Sequence, residues 1–375
     1  MRHCPTALAL AASFLMPTGR ALADSPAPKI SPQADLRLRY EGNFSQPGAE
    51  DFHRGRMRLR LGAKLDLRDW LSASARLRTG NPDDPNNPHV DLTSNFDSFT
   101  LAFDTAYLQV TSPVGVEAVA GKFTHVAKSR EVLWDADINP TGVAAAYKSK
   151  SVGVLASARP SAFFYVINNP STGKAATALG GQVLGKFSLG DATLELASGA
   201  LVLQSPESLA NESPGNRRSP KLGTDGKPVA GEFVGFESDY RIVDTLVDVG
   251  FKLAGVPVVL GGDFFVNLGA ADNDWGVQAG VDLGTLKAQG DWQLRYYYSD
   301  VRQDAVLSAL AQDDYRLATN YTGHEAHAGL VVIPGLNLIG RAYVFKSRAG
   351  DNTATADINE GQWQARARID LEARY

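Results

Sequence analysis

Residues 54 to 68, "RGRMRLRLGAKLDLR", alternate with a period of two. Arg54, Arg56, Arg58, Arg60 and Lys64 occupy one set of positions, and Met57, Leu59, Leu61, Ala63, Leu65 and Leu67 the other. A strand sends successive side chains to opposite faces, so the stretch predicts a β-strand with one apolar and one basic face; a helix would scatter the arginines round its axis. The same period recurs to the end of the chain. In 35–41 Leu36, Leu38 and Tyr40 oppose Arg37 and Arg39; in 71–80 Leu71, Ala73, Ala75 and Leu77 oppose Arg76 and Arg78. In 362–375 Trp363, Ala365, Ala367, Ile369, Leu371, Ala373 and Tyr375 oppose Arg366, Arg368, Asp370, Glu372 and Arg374. Such segments number roughly sixteen, each about ten residues long. Their centres fall near 39, 61, 75, 106, 119, 145, 157, 184, 197, 248, 262, 279, 292, 327, 341 and 368, and the alternation slips near 106, 157 and 341.

The connections sort into two kinds. Asp69-Trp70, Gly190-Asp191, Gly255-Val256 and Pro334-Gly335 mark tight turns, whereas 44–54, 80–100, 125–140, 168–178, 204–240, 268–274, 300–320 and 348–360 are long and polar. Short and long alternate along the chain. An up-and-down antiparallel barrel with two unlike ends produces that order, with short periplasmic turns and long outer loops. A Greek-key sandwich has no reason to sort its loops so. The expected fold is therefore all-β, a transmembrane antiparallel up-and-down β-barrel of about sixteen strands over residues 34–375. Both chain ends then lie on the short-turn side, and the strand number is even. The aromatic residues Trp70, Trp275, Tyr296, Tyr298, Trp363 and Tyr375 share the apolar face near strand ends, as an interfacial girdle requires.

Energetics decide which face is wet. Arginines two apart on a strand lie about 7 Å from one another, and in water their repulsion costs about 0.6 kcal/mol per pair. On a lipid face each would cost about 2–4 kcal/mol at mid-depth; in a dry core an unpaired charge costs several. The basic face therefore meets water, and the thin Ala/Leu face meets lipid.

Composition refines this picture. The chain has 375 residues, 44% of them hydrophobic, with 36 glycines and a formal net charge of −4, too mild to imply nucleic acid as a partner. Residues 1–23 read as a secretory signal peptide: Arg2 and His3 open it, an apolar stretch runs from Thr6 to Met16, and Ala21-Leu22-Ala23 forms a small-x-small cleavage pattern. Residues 24–33 are Pro-rich and polar, the expectation being a short periplasmic tail. The single cysteine, Cys4, lies in the signal segment, so disulfides are not expected. Beyond that segment no run of 18 apolar residues occurs.

"RMRLRLGAKLDL", "VAGKFTHVAKSREVLWDADINPTGVAAAY" (119–147) and "TNYTGHEAHAG" (319–329) resemble a family of Gram-negative outer-membrane porins, the resemblance running over most of 34–375. It implies a pore-forming barrel in the outer membrane, passing small hydrophilic solutes or ions. It also implies contact with outer-membrane lipid and lipopolysaccharide, delivery by the barrel-assembly machinery through the last strand ending in Tyr375, and a homotrimer among the assemblies to test. By likeness to general porins, the loop 125–140 is expected to enter the lumen, where Glu131, Asp135 and Asp137 would supply negative charge. Opposite it, Arg37, Arg39, Arg56, Arg58, Arg60, Arg76, Arg78, Arg366, Arg368 and Arg374 would form a basic wall. The rival expectation is a structural or adhesive barrel plugged by its loops, 204–240 above all.

Other chemistry finds little support in the residues. Asp135-x-Asp137-x-Asn139 could open a calcium loop, but Pro140 and Ala146 stand where that loop needs Gly and Glu. His324 and His327, three apart on a strand, face opposite sides and cannot chelate together. No Gly-x-Ser-x-Gly, His-Glu-x-x-His or phosphate-loop pattern occurs. The expectation is no metal, no cofactor and no enzyme activity.

Overall fold

The computed structural model describes residues 28–45, 50–84, 86–93, 99–348 and 361–375. The expected signal peptide, 1–23, lies outside the described residues.

Sixteen strands form one closed antiparallel barrel. In chain order they are β1 Lys29–Phe44, β2 Phe52–Arg68, β3 Leu71–Thr79, β4 Leu101–Thr111, β5 Val116–Lys122, β6 Thr141–Tyr147, β7 Leu155–Asn168 and β8 Ala176–Leu189. There follow β9 Ala192–Gln204, β10 Arg241–Leu253, β11 Val256–Asn267, β12 Trp275–Gly284, β13 Trp292–Val301, β14 Tyr321–Ile333, β15 Leu336–Ser347 and β16 Gln364–Arg374. Each strand pairs with its neighbours in sequence, and β1 also pairs with β16, from Asp35↔Arg374 to Phe44↔Ala365. That seam removes both sheet edges, so no row of backbone donors faces lipid unpaired. All sixteen expected centres fall inside these strands.

The first strand starts earlier than the expected barrel boundary at 34. Lys29 to Gln33 pair with Asp66 to Gly62, because β2 is long enough to offer them partners. Of the expected tail, residues 24–27 lie outside the described residues.

The slip near 106 has a definite cause. Across β3 and β4, Arg76 faces Thr105 while Leu77 faces Phe103, so Asp104 is an extra, bulged residue. A bulge breaks the period and turns its residue inward; Asp104 and Thr105 are consecutive yet both buried. A second register shift, between Leu155 and Ser157, accounts for the slip near 157. Tight turns use the conformations that strand twist demands: Ala254 (φ 50°) and Gly255 (φ 83°) both take positive φ, as a two-residue hairpin requires.

Outward positions carry exposed Leu36, Leu38, Tyr40, Leu61, Phe103, Tyr296, Ile369 and Leu371, whereas Arg39, Arg56, Arg58, Arg368, Asp370 and Glu372 are buried on the inner face. The long connections gather at one end and the short turns at the other. Among the long ones, 205–240 contains a hairpin, Arg218–Leu222 with Pro228–Phe236.

Candidate functional site

The inner face of β1, β2, β3 and β16 is an ion-pair lattice. Register places like charges side by side, Arg37 opposite Arg58, Arg39 opposite Arg56 and Arg60 opposite Arg78. Facing like charges would destabilise the sheet, and carboxylates relieve them. Across the closing seam Glu372 takes Arg37 at 2.8 Å, and Asp370 takes Arg39 through two bonds of 2.7 and 3.1 Å. Glu41, wholly buried, accepts from Arg54 at 2.5 Å and Arg368 at 2.7 Å, with Arg56 at 3.7 Å. The bulged Asp104 collects Arg76 at 2.7 Å, Arg60 at 3.4 Å and Arg78 at 3.9 Å. Arg58 pairs with Asp35 at 2.6 Å. Arg374, at the short-turn end, lies 2.9 Å from Glu372 and 3.5 Å from Asp35. Arg366 donates to Asn43 Oδ1 at 2.7 Å and to the carbonyl of Asp314 at 2.7 Å.

The connection 123–140, between β5 and β6, touches distant parts of the ring. Asp137 pairs with Arg60 and approaches Arg58 at 3.6 Å, both on β2. Lys128 and Arg130 bond Asp248 on β10 at 2.6 and 2.5 Å. Strands β2 and β10 are eight places apart in the ring of sixteen. Gly261 makes room for Arg130, since a Cβ there would collide with the guanidinium. The segment is anchored by apolar contacts as well. Trp134 is 3% exposed and stacks on His125 at 4.4 Å, and His125 meets Phe163 and Tyr165 of β7 edge-on. Burial alone pulls the His125 imidazole down to about 3. The Asp135-x-Asp137-x-Asn139 run is spent on structure: Asp135 accepts the N–H of Asp137 at 2.7 Å, and Asn139 donates to Asp104 at 2.7 Å.

A second segment, 302–320 between β13 and β14, falls in the connection expected at 300–320 to be long and polar, but it is largely apolar and buried. Val306, Leu307, Leu310, Ala311 and Tyr315 are almost wholly buried. Its backbone meets the first segment: Asp135 N–H donates to Leu310 O, and Gln312 N–H to Glu131 O, both at 2.8 Å. Asn216 of the 205–240 connection props it, donating to the carbonyls of Gln303 and Val306 at 2.8 and 2.7 Å. Asp314 pairs with Arg368. A signal existed in "AVLSALA" (305–311), a run too apolar for a solvated loop.

These two segments and the arginine-bearing strands enclose a cavity of about 350 Å³, lined among others by Arg37, Arg39, Glu131, Asp135, Asp137 and Arg368. Of the other arginines expected in the wall, Arg56, Arg58, Arg60, Arg76, Arg78, Arg366 and Arg374 belong to the surrounding lattice and not to the lining. Glu131 lines the cavity with its side chain open to it; the surrounding protein and the neighbouring carboxylates push its carboxyl up to about 8. Asp313 is pushed up to about 6 by the same causes, while Arg368 holds Asp314 well below the usual carboxylate range. His327 lines the cavity and His324 faces outward, its Nδ1 2.8 Å from the Tyr296 hydroxyl, as their spacing requires.

Residues 32–170 match a family described as "putative porin". Pseudomonas putida OprB, in its high-pH structure, superposes with a TM-score of 0.60 at 12% identity, covering 92% of this chain and 94% of that one. The chain has a porin's fold. Vibrio cholerae OmpT, an outer-membrane protein folded in vitro and seen in a trimer form, gives a TM-score of 0.53 at 10% identity, covering 93% of this chain and all of that one. At such identities the likeness is one of fold. No curated protein matches the chain in sequence. The resemblance to outer-membrane porins thus rests on sequence over 32–170 and on the barrel over nearly the whole chain.

Proposed function

We propose that the protein is a porin of a Gram-negative outer membrane, a water-filled diffusion channel for small hydrophilic solutes and ions rather than an enzyme. Residues 1–23 serve as its signal peptide, leaving a short periplasmic tail ahead of β1. The short turns face the periplasm and the long connections the exterior. Outer-membrane lipid and lipopolysaccharide surround the outward face, the assembly machinery reads the last strand through Tyr375, and three copies associate. The observation that carries the channel reading is the segment 123–140, whose ends of charge reach β2 and β10. Such a segment lies across the lumen and narrows it, presenting Glu131 and Asp137 towards the arginine-bearing strands, and the resulting transverse field orients dipolar solutes as they pass.

Purified protein in a planar bilayer tests this: discrete conductance steps are expected, and a silent bilayer sinks the channel reading. The second reading, a plugged structural barrel, draws on the apolar packing of Val306, Leu307 and Leu310 inside the ring. The same recording decides between them. Cross-linking in detergent checks for trimers.

A further inference from the structure

The inner face of β4–β7 holds a second hollow, of about 260 Å³, which shares no lining residue with the first cavity. Register explains its shape. Across β5, β6 and β7, Ala144 stands between Val119 and Phe163, and Ala146 between Glu117 and Ser161. The short side chains on β6 leave a depression between longer neighbours. Tyr107 and Val119 flank it, and Phe123, where the 123–140 connection begins, closes it towards the long-connection end. Where β1–β3 and β16 line the lumen with paired charges, this stretch of wall is mostly apolar.

A second observation concerns the edge of the hollow. Arg159 of β7 and Glu117 of β5 both line it, with a guanidinium nitrogen 3.7 Å from a carboxylate oxygen and side chains 30% and 40% exposed. At that separation and exposure the pair is weak. Arg159 gives one N–H to the carbonyl of Val126 at 2.9 Å, and a guanidinium has five to give. The Glu117 carboxylate accepts no hydrogen bond among the described residues. One acceptor and one set of donors thus stand side by side in water, at the rim of an apolar space.

Resting on the channel reading above, we propose that this hollow is a binding site for amino acids with apolar side chains. The aliphatic side chain lies against Val119, Ala144 and Ala146, the ammonium meets Glu117 and the carboxylate meets Arg159. Ligand pockets are mostly apolar, with a few polar groups that fix orientation. Here those groups match the two charges borne on one α-carbon. An anion alone would face Glu117 and a cation alone would face Arg159, so each carries a repulsion that the zwitterion balances. Space suffices, since an aliphatic cavity of about 150 Å³ takes benzene.

Calorimetric titration of the detergent-solubilised protein compares leucine with three relatives. Glycine lacks the side chain, isopentylamine the carboxylate and isocaproate the ammonium. Leucine should bind roughly tenfold more tightly than each of them. Ala146→Leu, which fills the hollow, should reduce leucine to the level of glycine. Glu117→Gln should reduce leucine to the level of isocaproate while leaving isocaproate itself unweakened. Arg159→Gln should do the same with isopentylamine as the reference. Glu117 and Arg159 are partly exposed, so their variants cover the case in which Ala146→Leu fails to assemble. Leucine binding no tighter than glycine, isopentylamine or isocaproate overturns the site, as does full-strength leucine binding in a variant that assembles. A silent bilayer with intact leucine binding would sink the channel reading and leave the site standing.

Discussion

The backbone N–H of Asp135 donates to the carbonyl of Leu310 at 2.8 Å, joining the connection between β5 and β6 to the one between β13 and β14. With the reciprocal bond from Gln312 to Glu131, it makes a short two-bond bridge between segments rooted on different sides of the ring. Neither segment is held by its own hairpin, so each depends on the other and on the walls. Deleting residues 129–138 removes both bonds, the Asp137–Arg60 pair and the Arg130–Asp248 pair, leaving Lys128 on Asp248. Single-channel conductance should rise, with added current noise as 302–320 loses its support. Unchanged conductance would show that the first segment does not limit flow.

Trp134 fastens the first segment to the wall. Its ring is 3% exposed, stacks on His125 and donates from Nε1 to Ile138 O at 3.2 Å. Trp134→Ala should destabilise docking of the segment by about 3–5 kcal/mol, read as faster proteolytic cleavage within 123–140 while the barrel stays intact on a heat-modifiable gel.

His125 makes that docking sensitive to acid. Its pKa is about 3 in the folded chain, against an ordinary value near 6.5. Between those values the undocked segment binds a proton that the docked one refuses. Docking is therefore full above about pH 6.5 and weakens as pH falls towards 3. His125→Phe should abolish this acid limb in a pH series of proteolysis rates.

Glu131 and Asp313 are shifted the other way, pushed up to about 8 and about 6 by burial and by neighbouring carboxylates. Glu131 faces Asp314, Asp137, Glu325 and Arg341; Asp313 faces Asp314, Arg368, Arg366 and Asp137. Raising pH from 6 to 9 adds negative charge to the cavity, so the preference for potassium over chloride should climb across that window. A flat reversal potential over the range would contradict the assignment.

Asp104 tests the lattice. It is 1% exposed and collects Arg60, Arg76 and Arg78. Arginines on a merely wetted wall could be reversed freely, but here R60E/R76E leaves a buried carboxylate beside two more. The loss should be about 3–5 kcal/mol, seen as a lower temperature for the mobility transition on a gel. An unchanged transition temperature would mean that water, not pairing, carries these charges.

The alternation in 54–68 and in 362–375 by itself determined that these are strands with one lipid face, because a period of two has only one structural meaning at that length. The sorting of short and long connections determined an up-and-down ring, and the cost of arginine in lipid determined which face points inward. Alternation carries no partner information, so the seam that sets Glu372 against Arg37 and Asp370 against Arg39 came only from closure. The bulge at Asp104 was visible as a broken period, but the three arginines it serves were not. The segment 302–320 was hidden for a similar reason. Its apolar residues have no period, and what they bury against, 123–140 and Asn216, is close only once the barrel has closed. Charge type is written in the sequence; which carboxylate meets which arginine is decided by the register of strands and by the contact between 123–140 and 302–320.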